Sequence, residues 1–332
     1  MLTLRRATEA DAATVAAIWR ANPVGGPLPY YYSGAAFGRP GYRLFFLDWD
    51  GRAVGTVSAR PEHLGSHPCV YASDAAMDRA VRGRGLASRA LAEAFAAVAA
   101  PDVHFLTTVH ALGNPGPDRV FRGRHFQILY QTPWEISYLP ALPRPRREPH
   151  PTSDYEEVCA LVNGFYAGHA FFRSLAPDEL ARREDFTVLA ERSNGRLVAC
   201  VGVWRQQRIR RLMLVRPGPA IRAALSGVSL WNRRVDAAAC NGARELAVHV
   251  LTEPAFAPGH AGAFHRLLDS AGCHRDAHCF QLAAHPACPI ASEARRRLRF
   301  GFHSLFTVLR PAGRTGELAP VHGPVYHDCS WL

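Results

Sequence analysis

The chain has 332 residues, 48% of them apolar and 20% charged, which excludes a disordered chain and suits two domains better than one core. Its net charge of +11 invites a nucleic-acid reading, but all 39 basic residues are arginines, scattered along the chain with no lysine among them. That pattern argues for a codon bias toward G and C over a phosphate-binding surface, and no stretch reaches the roughly 18 apolar residues of a membrane span.

In chain order, "LTLRRAT" reads as a strand and "EADAATVAAIWRAN" as an amphipathic helix entered through Thr8. "YRLFFLDWDGRAVGTVSARPE" is a hairpin around Asp50-Gly51, "PCVYASDAAMD" a further strand and "GLASRALAEAFAAVAA" an alanine-rich helix. "VHFLTTVHA" is another strand, and after "NPGPDRVFRGRHF" the run "FQILYQTPWEISYL" closes a first domain, 1–139. Residues 140–153, "PALPRPRREPHPTS", hold five prolines and read as an extended linker. The second domain, 154–332, repeats the order: helix, hairpin around Asn194-Gly195, strand, helix, strand, short helix and closing strand, with an extra segment near 217–242. Two copies of one element order imply duplication. The fold class is α+β, two mixed-sheet α/β sandwich domains in tandem.

The eight cysteines are dispersed, mostly inside apolar runs, as expected of reduced buried thiols in a cytoplasmic protein; the N-terminus lacks a secretory apolar core. "CHRDAHCFQLAAHPAC" gathers Cys273, His278, Cys279, His285 and Cys288, but these fall across a strand, where alternate side chains point to opposite faces, so no metal is expected.

"RAVRGRGLASRAL", residues 79–91, carries the clearest chemistry. A strand, a Gly-rich turn and a helix make an anion site, because the first helical N–H groups are unpaired and the helix dipole favours negative charge. Gly83 and Gly85 let the backbone approach a ligand, Ser88 adds a hydroxyl, and Arg82 and Arg84 add attraction.

This stretch resembles the acyl-CoA pyrophosphate loop of the GNAT superfamily, the Gcn5-related N-acetyltransferases. Their Arg/Gln-x-x-Gly-x-Gly/Ala signature falls here on Arg82, Gly85 and Ala87, with Met77 at the valine of a longer family string. The element order of residues 2–139 also matches the family fold. The resemblance implies a protein of two GNAT domains in tandem, with acetyl-CoA or another acyl-CoA as cosubstrate. Backbone around Ala76 and Met77 would pair with pantetheine, Arg82, Gly83, Arg84, Gly85, Leu86, Ala87 and Ser88 would wrap the pyrophosphate, and Asn114 would begin the next cofactor-facing segment. In relatives a tyrosine on that segment can protonate the leaving thiolate; Phe121 stands at its place and His125 at a following glycine, so either His125, Tyr130 or water inherits the task or the thiolate leaves without help. The second half departs further: in "FAPGHAG" Phe256 replaces the loop arginine, and Arg297 stands at the tyrosine position, so that half is expected to lack CoA binding.

Direct acyl transfer to an amine needs a base. The resemblance puts such a carboxylate on the strand before the loop, where Asp74 leads, Asp78 reads as a turn or cap, and His63 and His67 are alternatives. The tyrosine-rich loop "PLPYYYSGAAF", 27–37, covers an acceptor or packs on the second domain. A small-molecule amine is the expected partner, with no nucleic acid and no membrane. The rival readings are a Fem-type transferase, which takes aminoacyl groups from tRNA, and a non-catalytic acyl-CoA-binding or regulatory protein.

Overall fold

In the computed structural model, residues 2–23, 30–33, 41–141, 150–205, 211–215, 245–271, 276–297 and 299–327 are described, with isolated positions between 218 and 227. The chain divides into two compact units. Unit 1 comprises Met1–Trp134 and His303–Val321, and unit 2 comprises Glu135–Phe302 and His322–Leu332.

Unit 1 opens with β1 (Leu2–Arg6), a 3-10 turn (Glu9–Asp11) and α1 (Ala12–Ala21). The Asp11 carboxylate accepts from both the N–H and the hydroxyl of Thr8 and lies 3.0 Å from the Arg5 guanidinium, which fixes the start of the helical run. After β2 (Tyr30–Ser33) come the long antiparallel strands β3 (Arg43–Trp49), β4 (Arg52–Leu64) and β5 (His67–Met77). Asp50 and Gly51 both take positive φ, the geometry of the two-residue turn that matches strand twist. Next are α2 (Leu86–Val98), β6 (Phe105–Ala111), α3 (Pro115–Phe121) and β7 (Phe126–Pro140).

The sheet order of unit 1 is β1-β3-β4-β5-β6, antiparallel except for β5 and β6, which run parallel. Alternation along β4 assigns the layers. Val57 and Ala59 face α2, whose Ala90, Leu91, Ala94 and Phe95 are buried with them, while Thr56 and Ser58 face the side on which Trp19 of α1 donates to the Thr56 hydroxyl at 2.9 Å.

Unit 2 contains β8 (His150–Thr152), α4 (Tyr155–Tyr166), α5 (Pro177–Ala181), the hairpin of β9 (Phe186–Ser193) and β10 (Arg196–Trp204), and the short β11 (Arg211–Leu214) and β12 (Glu245–Leu246). The chain continues through β13 (Val248–Phe256), α6 (Ala261–Ala271), β14 (Cys279–Ala284), α7 (Pro289–Arg295) and β15 (Phe300–Pro311), whose residues from His303 on belong to unit 1. Asn194 and Gly195 again take positive φ in the hairpin turn. As in unit 1, one parallel pair, β13 with β14, sits among antiparallel ones.

The closing strands differ from a cut at the proline-rich segment, whose residues 142–149 lie outside the described residues. In unit 1, β6 pairs with Ser304–Leu309 of β15; in unit 2, β14 pairs with Glu135–Pro140 of β7. Each unit thus contains a strand segment that chain order alone assigns to the other half. The pairing is invisible in sequence because both strands carry the same alternating apolar pattern. Among the described residues no helix is long and apolar enough to cross a membrane.

Candidate acyl-CoA site

The parallel pair of unit 1 is short. Cys69, Val70 and Tyr71 of β5 are in register with Phe105, Leu106 and Thr107 of β6, and beyond Tyr71 the described pairing of β5 is with β4 alone. From Ala72 to Met77 the two strands part, leaving a backbone edge open to a ligand. Within that stretch the β4 register slips by one residue: Ser58 faces Ser73 but Thr56 faces Ala76. The extra residue makes a bulge at Asp74-Ala75, with Asp74 at φ +53°. Aspartate is among the few residues that adopt this backbone readily.

The bulge is held from the α1 side. Asp74 Oδ2 accepts from the hydroxyls of Tyr42, Ser58 and Ser73, each at 2.9 Å. The Asp74 carbonyl accepts from Thr56 Oγ1 at 2.9 Å, the same hydroxyl that receives the Trp19 indole N–H. Gly55 completes the local fit, because a Cβ there would lie 2.5 Å from the Ala76 carbonyl.

After Met77 the chain turns through Asp78, whose carboxylate caps the 3-10 turn Arg79–Val81 by accepting from Ala80 N–H at 3.0 Å and pairs with Arg52 at 3.1 Å. Gly83 and Gly85 follow at φ +80° and +74°, and Gly85 begins α2. Leu86, Ala87 and Ser88 form the first turn of α2, which carries no acidic residue, while Arg82 and Arg84 stand exposed beside it. Arg82 Nε donates to the Met77 carbonyl at 3.0 Å and its guanidinium also reaches Asn22 Oδ1. The Ser88 hydroxyl is engaged elsewhere, donating to the Val120 carbonyl at 3.1 Å and tying α2 to α3. Asn114 caps α3 by accepting from Gly116 N–H at 3.1 Å.

The remaining candidates spread widely. His63 and His67 sit at the β4–β5 turn, seven residues and about 23 Å along the strand from Asp74 for His67. His125, whose carbonyl accepts from Ala312 N–H, likewise lies at the sheet end away from the parting. Tyr130 is half-buried in the middle of β7. Of the tyrosine loop, 30–33 form β2, and the Tyr31 ring lies 5.9 Å from the Arg20 guanidinium; 27–29 and 34–37 fall outside the described residues. Among the described residues no cluster of three or more histidine, cysteine or acidic side chains is close enough to hold a metal ion.

Sequence reasoning missed His110, at the end of β6 beyond the parting. Its ring packs edge-on against Phe121, centroids 5.3 Å apart, on the α2 and α3 face of the sheet, opposite the face that holds the Asp74 carboxylate. It also missed the Tyr42, Ser58 and Ser73 hydroxyls. The alternation Thr56, Ser58 against Val57, Ala59 was the available clue, a polar stripe along a central strand.

Unit 2 repeats the backbone device with different side chains. The β10–β13 register slips between Cys200–Ala255 and Gly202–Thr252, with Glu253 at φ +45° in the bulge. Glu253 is buried and its Oε1 lies 2.7 Å from Arg183. Phe256 packs between Phe165 and Phe264, at 5.2 and 5.5 Å, where unit 1 turns toward its arginines. Arg297 is bound to Asp269 at 2.7 Å and to the His265 carbonyl at 2.6 Å.

The strand parting, bulge and glycine turn coincide with a family pattern: residues 13–126 match the model of the acetyltransferase (GNAT) family. These residues are a GNAT domain. No curated protein matches the sequence significantly. Among solved structures, the chain is similar to the N-myristoyltransferase of Saccharomyces cerevisiae with bound myristoyl-CoA (TM-score 0.58, 10% identity, 94% of this chain and 83% of that one). It is also similar to a tandem GNAT protein from the clavulanic acid biosynthesis pathway (TM-score 0.54, 12% identity, 95% and 100%). A putative acetyltransferase from Pyrococcus horikoshii matches at TM-score 0.50 and 10% identity, over 98% and 94%. At such identities the likeness speaks for fold alone, a mixed α/β fold that these structures share.

Proposed function

We propose that the protein is an acyl-CoA-dependent N-acyltransferase whose GNAT domain binds the donor and passes its acyl group directly to an amine. The observation that supports this most is the continuity of three features: the open edge of β5 after Tyr71, the turn with Gly83 and Gly85 at positive φ, and the acid-free start of α2. A thioester arm laid along Ala72–Met77 delivers its pyrophosphate to the unpaired N–H groups of Leu86, Ala87 and Ser88. Arg82 and Arg84 add charge complementarity there. Asn114 and the backbone of Ala76 and Met77 are assigned to the same donor site.

Asp74 is the proposed base. It sits at the level of the parting, on the face of α1, oriented by three hydroxyls. A carboxylate so fixed can draw a proton from an ammonium before nitrogen attacks the thioester. Unit 2, with Phe256 in an aromatic cluster and Glu253 committed to Arg183, is proposed to bind no CoA.

The test is a calorimetric and thermal-shift comparison of acetyl-CoA, longer acyl-CoAs and tRNA, followed by thiol release in the presence of an amine panel. Binding of an acyl-CoA with amine-dependent thiol release is expected. Stabilisation by tRNA alone would overturn the reading.

A further inference from the structure

His110 lies where the parting strands meet α3. Its side chain is only 7% exposed. Among the described residues neither ring nitrogen finds a hydrogen-bond partner, and the acid beside it, Asp118 Oδ1, stands 3.7 Å from Nε2, too far for one. Burial pushes its pKa below the ordinary histidine value, opposed by Asp118, so the ring is neutral at physiological pH. A buried imidazole without a hydrogen bond is costly, and a position at an open strand edge supplies a reason to keep it.

Extending the β5–β6 register past Tyr71–Thr107 brings His110 level with Asp74, on the other side of the sheet. Phe121 touches the ring but has no hydroxyl to offer. Resting on the acyl-CoA reading above, we propose that His110 is a catalytic residue that donates its imidazole N–H to the CoA sulfur as it departs. Nitrogen of the acceptor attacks the carbonyl from the Asp74 side and the N–C bond forms. The C–S bond then breaks with its electron pair left on sulfur, and the protons released by nitrogen pass by way of Asp74 to solvent. His110 stays neutral, stabilising the thiolate without being consumed; CoA gains its proton from water on release. In a water-poor gap such a donor counts for more than it would in solution.

The probe is CoA itself, which needs no acceptor. Its thiol, bound to the full-length protein, is titrated by thiolate absorbance in wild type, His110→Gln, His110→Phe and His110→Leu. The bound thiol is expected to ionise about tenfold more readily in wild type and His110→Gln than in the two variants that lack a donor, a shift of about one pH unit. Whichever of His110→Phe and His110→Leu retains calorimetric CoA affinity at low pH serves as the comparison. Identical titration in wild type and that variant overturns the role of His110. Failure of wild type to bind CoA at all would instead sink the functional reading on which it rests.

Discussion

Asp74 and Glu253 occupy the same station in their respective units: an acid at positive φ, in a one-residue bulge, just past the end of a short parallel pair. In both bulges a side-chain hydroxyl satisfies a carbonyl, Thr56 on Asp74 and Tyr166 on Pro254 at 2.7 Å. The acids themselves differ. Asp74 holds three neutral hydroxyls and is half-buried, whereas Glu253 is buried against a guanidinium. Downstream, one loop presents arginines at a helix start and the other folds a phenylalanine into the core. The backbone device depends on strand pairing and survives any side chain tolerant of the bulge. The chemistry depends on a few side chains, and in unit 2 those at the matching positions pack (Phe256) or pair with arginine (Glu253).

That contrast makes predictions of decreasing size. Glu253→Ala should cost about 3–5 kcal/mol of stability, because the Arg183 guanidinium would lose a buried carboxylate 2.7 Å away. Asp74→Ala, which strands the Tyr42, Ser58 and Ser73 hydroxyls, should cost about 1–3 kcal/mol. Urea midpoints in the reverse order would break the comparison. On activity the ranking inverts. Asp74→Asn preserves a residue that accepts positive φ, so it should keep acyl-CoA affinity while kcat falls about 10²- to 10⁴-fold. Full kcat in that variant with an accepted amine would remove Asp74 from the mechanism.

The smallest effect is on pH. Burial holds His169, His278 and His285 of unit 2, and His110 of unit 1, below the ordinary histidine value. Such groups are neutral when folded, so below about pH 6.5 the unfolded chain binds more protons than the native one. Their contribution is therefore complete above that pH and is lost as pH falls. With three such groups among its described residues against one, unit 2 should lose hydrogen-exchange protection more steeply than unit 1 on acidification from about pH 7 to about pH 5. Equal loss in both units would contradict the assignment.

Much of this was legible from residues alone. Asp50-Gly51 and Asn194-Gly195 name their hairpins because few residues accept two successive positive φ values, and Gly83 and Gly85 mark the helix entry for the same reason. The bulge at Asp74 was not legible, since a one-residue register slip leaves no mark in composition. Nor was the pairing of β6 with β15, because alternating apolar patterns specify a face and not a partner. The hydroxyls of Tyr42 and Ser58 come within reach of Asp74 only through pairings 32 and 16 residues apart in the chain. His110 looked like one polar residue at a strand end; its burial against Phe121 comes from α3 folding back over it.

The central claim is that one unit binds acyl-CoA and the other does not. Titration calorimetry with acetyl-CoA on wild type and Gly85→Glu tests it most directly. A Cβ at Gly85 meets nothing within 4 Å, so the variant acts mainly through its charge at the helix start and through the +74° φ. The account predicts one site per chain in wild type and about 100-fold weaker binding in Gly85→Glu, close to 2.7 kcal/mol. Two sites per chain, or an affinity unchanged by Gly85→Glu, would contradict it.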